Sequence, residues 1–489
     1  MDENQLKNQA LAGFVWQFLQ KISSQLFGFI VTVILARLLL PDDYGVVALA
    51  SMFNVLVGIL ISGSMDASLI QKKDADELDF NTVFWSSLGM SFIIYAVVFF
   101  GAPPFARIYG NEQIVPIMRV LALGMPIGVL SMVQNAVVSK ELKFKKVFIT
   151  SIFGQVVSAI VGICMAYKGY GPWALVAQSL LSSITNTAVM CFLVSWRPRW
   201  MFSVERFRGL FGFAWKKTAA GFIGTLCGQL KGYLIGYKYS MADLAYYNRG
   251  DGLPGMISTN ISGSINAVLF PALSRVNDDI EAVKRGVRRS MMISSYILMP
   301  MFLGLASISD KVVPLLYSDR WSPAIPFMQV ACLTECVSIL NSVNVQALFA
   351  LGHSDDVLKL EIYKKPALLL TVGIAIFISP LAISVGMFIY AFYGLVFNAW
   401  PVRRRLNYAL ITQLNDVKQP TLLSIVMAVA VYGIGLLIHN VYLSLVCQIA
   451  FGATFYIFIS AKLKVEAYLY AKDTVMQILS KRFPHLRKR

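Results

Sequence analysis

The residues of this chain that could do chemistry are polar side chains set inside long apolar runs. Gln17, Lys21 and Ser24 recur at helical spacing in one run, with Gln20 and Gln25 beside them. An ammonium about two turns inside a spanning helix is costly unless it meets water, an acid or an anionic ligand. A second run carries Glu335, Ser338, Ser342 and Gln346, with Asn341 alongside. A third places Asn260 and Ser264 on one face, after Tyr247-Asn248-Arg249-Gly250-Asp251 near its start. A fourth opens on Lys216 and Lys217, continues through Thr218, Gly221, Thr225 and Gln229, and reaches Lys231 near its far end. Binding is the chemistry these groups offer. Lys21, Lys217, Arg249 and Arg119 outweigh Glu335 and Asp251, so a cavity lined by them favours an anionic cargo. Glu335, the acid furthest from an obvious partner, is the candidate for ion coupling, with Asp251 second. The plainer alternatives are hydrogen bonds between helices for the neutral groups, and mutual pairing of Arg249 with Asp251.

Thiol and metal chemistry find little support. All six cysteines lie in apolar runs; Cys332 and Cys336 share a helix face, and ordinary packing accounts for them. His353, His439 and His485 are far apart in the sequence. No metal or cofactor is expected.

The elements that must position these side chains are membrane helices. The chain is 57% hydrophobic and only 14% charged, with a mean hydropathy of +0.64, whereas soluble domains carry about 25% charged residues. Apolar runs long enough to cross a bilayer recur along all 489 residues. They fall at 14–38, 44–66, 81–102, 116–138, 148–167, 172–195, 213–236, 246–270, 290–309, 326–350, 363–379, 382–401, 420–438 and 441–461, predicting an all-α integral membrane protein of about fourteen transmembrane helices. The first run follows Asp2 and Glu3 with no basic flank or small-residue cleavage site, so it reads as a retained span.

The net charge of +17 does not make a nucleic-acid surface, because the basic residues are scattered in short clusters between apolar runs. They alternate. One set of connections holds clusters such as Lys140-Lys143-Lys145-Lys146 and Arg403-Arg404-Arg405; the other holds only Arg37, Arg107, Lys168, Lys238, Lys311 and Arg320. The positive-inside rule then predicts both termini on the cytoplasmic side and an even number of spans.

The sequence also repeats. Gly13-Phe14-Val15-Trp16 returns as Gly212-Phe213-Ala214-Trp215, and Pro116-Ile117-Met118-Arg119-Val120 as Pro326-Phe327-Met328-Gln329-Val330. Ile108-Tyr109-Gly110-Asn111 precedes the second motif as Leu316-Tyr317-Ser318-Asp319 precedes its copy. Six spans per copy make the copies parallel repeats, with the binding site expected at their interface. The predicted organisation is a six-helix bundle at 1–208, a second at 209–405, two added helices within 406–462 and a basic tail at 463–489. Pro126, Pro254 and Pro300 are expected to be kinks or hinges.

Leu35-Ala36-Arg37-Leu38-Leu39-Leu40-Pro41-Asp42-Asp43-Tyr44-Gly45-Val46-Val47-Ala48 resembles the polysaccharide transporter (Wzx-type flippase) family of the multidrug/oligosaccharidyl-lipid/polysaccharide exporter superfamily. Ala67-Ser68-Leu69-Ile70-Gln71-Lys72-Lys73, Gly171-Pro172-Trp173-Ala174-Leu175-Val176 and Ala245-Tyr246-Tyr247-Asn248-Arg249-Gly250 carry the same resemblance in order, closest to the colanic-acid and teichuronic-acid exporter branch. The resemblance implies two six-helix bundles around a central cavity. It implies export or flipping of an oligosaccharide on undecaprenyl pyrophosphate, as for a polysaccharide or lipopolysaccharide precursor. It leaves room for polysaccharide polymerase and glycosyltransferase partners. Lys21, Lys217 and Arg249 match the cationic lining of such cavities. Two other functions in the same superfamily stay open, a multidrug or cation antiporter and a lipid II flippase. A membrane polymerase or glycosyltransferase is disfavoured, because the outer connections are too short for a catalytic loop.

Overall fold

The computed structural model describes residues 3–62, 65, 68–69, 72, 74–276, 279–470 and 472. Most of the expected basic tail, Lys73 and part of the Ala67–Lys73 segment lie outside the described residues, and so does the side chain of Ser264. All regular structure among the described residues is helical. The helices are α1 (Glu3–Leu38), α2 (Pro41–Ser62), α3 (Glu77–Ile108), α4 (Ile114–Lys140), α5 (Phe144–Tyr167), α6 (Trp173–Leu193) and α7 (Val204–Lys238). They continue as α8 (Met241–Ser274), α9 (Ile280–Tyr317), α10 (Ile325–Ala350), α11 (Ser354–Ala375), α12 (Pro380–Leu406), α13 (Leu410–Leu437) and α14 (Val441–Lys462).

Each expected run is found as a helix, but eleven among the described residues are long and apolar enough to cross a membrane. The remaining three, α7, α8 and α11, have the length but are too polar. Neutral groups such as Thr218, Thr225 and Gln229 dilute α7, and Ser258, Thr259 and Asn260 dilute α8, while α11 carries Lys359. The three also hold Lys216 and Lys217, Arg249 and Asp251, and Glu361, Lys364 and Lys365 respectively. Several helices also outrun the apolar stretch that defined them. The 38 residues of α9 rise about 57 Å, nearly twice the hydrocarbon thickness, so its first turns, with Lys284, Arg285, Arg288 and Arg289, extend beyond the apolar run.

The chain forms two compact units, one ending at Ala245 and the other beginning at Tyr246. Three turns recur along the chain. Between α1 and α2 the Leu40 backbone N–H donates to Asp43 Oδ2 at 3.0 Å; between α7 and α8 the Ser240 N–H donates to Asp243 Oδ2 at 3.1 Å. After α3 the chain passes through Gly110 at φ +63°, and after α9 through Ser318 at φ +88°. Before α5 stands Leu142 at φ +55°, and before α11 Gly352 at φ +78°. Matching positive-φ positions are informative because L side chains disfavour them.

In the first unit, α7 lies against α2 and α3. A Cβ on Gly45 at the start of α2 would overlap the Met241 carbonyl, and one on Gly232 would press within 2.7 Å of Met52 Cε. Tyr109 Oη donates to the Tyr233 carbonyl at 3.3 Å beside this seam. The connection between α6 and α7 is fastened to the start of α3. There the backbone N–H groups of Arg199 and Ser203 donate to Asn81 Oδ1 and Thr82 Oγ1, and Trp85 Nε1 donates to the Arg199 carbonyl and stacks on Trp200. Asp79, fully buried, takes Lys72 at 2.5 Å and Arg206 at 3.4 Å. The Asp79 backbone N–H, donating to Asp76, holds the Asp76 carboxyl below its usual range.

The prolines behave differently from one another. Pro126 follows a break at Leu123, where its ring cannot tolerate the Ala122 carbonyl, and α4 restarts at Gly124. Helices α8 and α9 run on through Pro254 and Pro300.

In the second unit α13 and α14 dock on α9. Arg288 bonds Asp416 and, through both terminal nitrogens, Glu466. Lys311 donates to the Gly435 carbonyl and Ser444 Oγ, each at 2.8 Å, and Tyr456 Oη donates to the Tyr296 carbonyl. The carbonyl end of α13 supplies the negative pole that the Lys311 ammonium needs in an apolar setting.

Candidate functional site

On α1, the polar stripe is divided by its neighbour α5. Ser24 Oγ accepts from Gln155 Nε2 at 2.6 Å and from Gln20 Nε2 at 3.4 Å, and Gln20 also donates to Ser151. Ser24 therefore sits in the α1–α5 seam, where neutral hydrogen bonds join the helices. Gln17 and Lys21 remain exposed and Gln25 half-buried, and none of the three makes a hydrogen bond or ion pair among the described residues. On α7, Lys216 and Lys217 are likewise exposed and unpartnered among the described residues, and Thr225 is half-buried. A bare ammonium in a spanning helix favours an anion or water as its partner.

Arg119 does not join these cations. Its guanidinium lies 3.9 Å from the Phe99 ring centroid, and its Nε donates to the Phe99 carbonyl, so α3 holds it.

In the second unit, the Tyr246–Gly250 motif seats the start of α8 on α10. Tyr247 meets Phe327 edge to face at 6.1 Å, and a Cβ on Gly250 would stand 2.6 Å from Phe327 Cβ. Arg249 lies over both Tyr317 and Trp321, at 5.0 and 5.1 Å. This cation–π seat is what the aromatic residues around the turn after α9 provide. Asn260 donates to the Met256 carbonyl on its own helix at 2.8 Å, and Asp251 is half-buried. Glu335 is not an isolated acid, because Ser258 of α8 donates to its Oε2 at 2.5 Å. Asn341 donates to the Ala391 carbonyl and accepts from Asn398 Nδ2, which joins α10 to α12.

Each unit has an open pocket with polar side chains in its wall. One of about 420 Å³ in the first unit is lined by Tyr44, Gln155, Ser158, Gln178, Ser179 and Ser182 among others. One of about 400 Å³ in the second is lined by Ser338, Asn341, Ser342, Gln346, Glu361, Lys364 and Asn398 among others. Lys364 is buried and 2.6 Å from Glu361. Sequence reasoning missed Glu361, Lys364 and Asn398. The expected run at 363–379 begins after Glu361, and only the helical start at Ser354 shows that Glu361 and Lys364 share one turn of α11. Among the described residues no group of His, Cys, Asp and Glu could hold a metal ion.

The profile of the family described as polysaccharide biosynthesis protein matches residues 34–326. The chain is 21% identical to the succinoglycan biosynthesis transport protein ExoT of Rhizobium meliloti, over 69% of this chain and 68% of that one. It is 21% identical to the teichuronic acid biosynthesis protein TuaB of Bacillus subtilis, over 96% of this chain and 98% of that one. It is 21% identical to the lipopolysaccharide biosynthesis protein WzxC of Escherichia coli, over 73% of each. In fold it is similar to the lipid II flippase MurJ in an inward closed conformation, with a TM-score of 0.74 at 13% identity over 94% of this chain and all of that one. An inward-facing multidrug resistance transporter of the MATE family also shares the fold, with a TM-score of 0.61 at 15% identity over 78% of this chain and 96% of that one. The motif residues of α1, α2, α6 and α8 and the match across more than half of the chain agree: this multi-pass helical membrane protein belongs to the polysaccharide biosynthesis protein family.

Proposed function

We propose that this chain moves a lipid-linked oligosaccharide, a polysaccharide precursor carried on undecaprenyl pyrophosphate, across the inner membrane by alternating access, as a transporter and not an enzyme. The observation that carries the reading is the bare ammonium of Lys21 on an apolar spanning helix, joined by Lys217 on α7. A pyrophosphate-linked glycan brings the anion that such ammonium groups lack, and hydroxyls that Gln17, Gln25 and Thr225 can read by hydrogen bonds. The relatives' own names, a biosynthesis transport protein among them, support the same cargo class. A cation or drug antiporter is less well supported, because the acid it would centre on, Glu335, already accepts from Ser258. Arg249, Asn260 and Asn341 are proposed as cargo contacts of the second unit, and the repeat division into 1–208 and 209–405 belongs to the same reading.

Orientation is part of the proposal: the basic connections and both termini face the cytoplasm. In intact spheroplasts an impermeant thiol reagent should label Gly110→Cys and leave Arg404→Cys unlabelled; the reverse pattern inverts the topology. In cells, deletion of the gene should leave lipid-linked glycan in the inner leaflet and no finished polymer outside. Normal surface polymer in the deletion strain, with no second copy of the gene, contradicts the function.

A further inference from the structure

The end of α12 and the start of α13 enclose a cavity of about 510 Å³ that the transport reading does not use. Its lining is apolar except for one group. Val396, Phe397 and Trp400 come from the last turns of α12, Leu410 and Ile411 open α13, and Arg403 stands with them. Val396, Trp400 and Ile411 are more than half exposed, so hydrocarbon here faces outward and is not packed against protein.

Arg403 gives this lining its charge. The run Arg403-Arg404-Arg405 places three guanidinium groups at one helix end, and the structure gives two of them partners. Arg405 reaches Asp356 at 3.2 Å, and Arg404 lies 5.2 Å from the Trp400 ring centroid. Arg403 makes no hydrogen bond, ion pair or ring contact among the described residues, and it alone of the three lines the cavity. Val396 precedes it by two helical turns, so the apolar wall extends about 10 Å along α12 away from the guanidinium. An interfacial tryptophan and an arginine cluster mark this helix end as headgroup level.

We propose that this cavity holds one anionic glycerophospholipid of the bilayer, its phosphate on Arg403 and the upper part of an acyl chain against Val396, Phe397 and Ile411. Charge complementarity selects the occupant. A free phosphate leaves the 10 Å apolar wall unused, and the ammonium of a zwitterionic headgroup meets three neighbouring guanidinium groups of its own sign. The bound lipid bridges the α12–α13 connection, where Asn407 turns the chain at φ +48°, and so ties the two added helices to the second bundle through the membrane itself. None of the residues proposed to read the cargo is involved, so the site stands whether or not the transport reading does.

The test uses the full chain purified in mild detergent, with bound lipid counted by native mass spectrometry after exchange into mixtures of phosphatidylglycerol and phosphatidylethanolamine. The wild type should retain one phosphatidylglycerol per chain in preference to phosphatidylethanolamine. Arg403→Ala should lower the affinity about tenfold, the loss of one charged hydrogen bond, while Arg403→Lys retains part of it. Ile411→Asp should expel the lipid with Arg403 still present, and Arg404→Ala should retain it. Equal retention of both lipids, or an unchanged Arg403→Ala, overturns the proposal. Displacement of the lipid by one equivalent of undecaprenyl phosphate also overturns it, by assigning the cavity to the cargo. Arg403 and Ile411 are surface residues, so these variants should elute and melt as the wild type does.

Discussion

An ammonium inside a membrane must find water, an acid or an anionic ligand, and the protein around Lys21 offers no acid among the described residues. Two substitutions separate its charge from its shape. Lys21→Arg should keep much of the transport, whereas Lys21→Ala should lose about tenfold or more, the cost of a charged hydrogen bond to the cargo. Both must be compared at matched membrane abundance, and full export by Lys21→Ala removes Lys21 from the site. Glu335 belongs in the same assay, because Glu335→Gln keeps its shape and can still bond Ser258 while losing titration. Unchanged dependence on ion gradients in that variant makes Glu335 structural. Arg249 needs no such test to explain its presence. Its seat over Tyr317 and Trp321 accounts for an arginine in a polar helix, and only the fold brings those rings beneath it.

At the scale of elements, close approach of helices replaces charge as the determinant. Gly45 sits where α2 meets the backbone at the start of α8, and no side chain fits between them. Gly45→Val should destabilise the protein by about 1–3 kcal/mol, as overpacking does, and lower its melting temperature in detergent. Gly28, whose missing Cβ meets open space, should accept alanine with little change; equal losses at both positions would show that the seam is not the cause. The helices themselves were legible in the sequence, because a bilayer demands an apolar run of near-constant length and such runs are hard to hide. Their ends were less so. Helices α7, α9 and α11 begin about ten residues before their apolar runs, since a helix leaving the membrane can turn polar without ending. That same blindness left Glu361 outside the expected run and hid its pairing with Lys364 beside a pocket of the second unit. The stripe on α1 was legible as polar. Its division into a seam at Ser24 and a bare cation at Lys21 required knowing where α5 lies.

For the whole molecule, the helical architecture, the recurrent turns and the family match describe a membrane transporter of polysaccharide biosynthesis. The central claim is that this chain moves a lipid-linked glycan between leaflets. The direct measurement uses proteoliposomes in which undecaprenyl-pyrophosphate-linked oligosaccharide starts in the inner leaflet and a glycosidase is sealed outside. With the purified protein present, the glycosidase should consume well over half of the labelled glycan. Liposomes holding Lys21→Ala should protect most of it, and those without protein nearly all. Protection equal to that of empty liposomes, in vesicles where the chain is folded and inserted, contradicts the account.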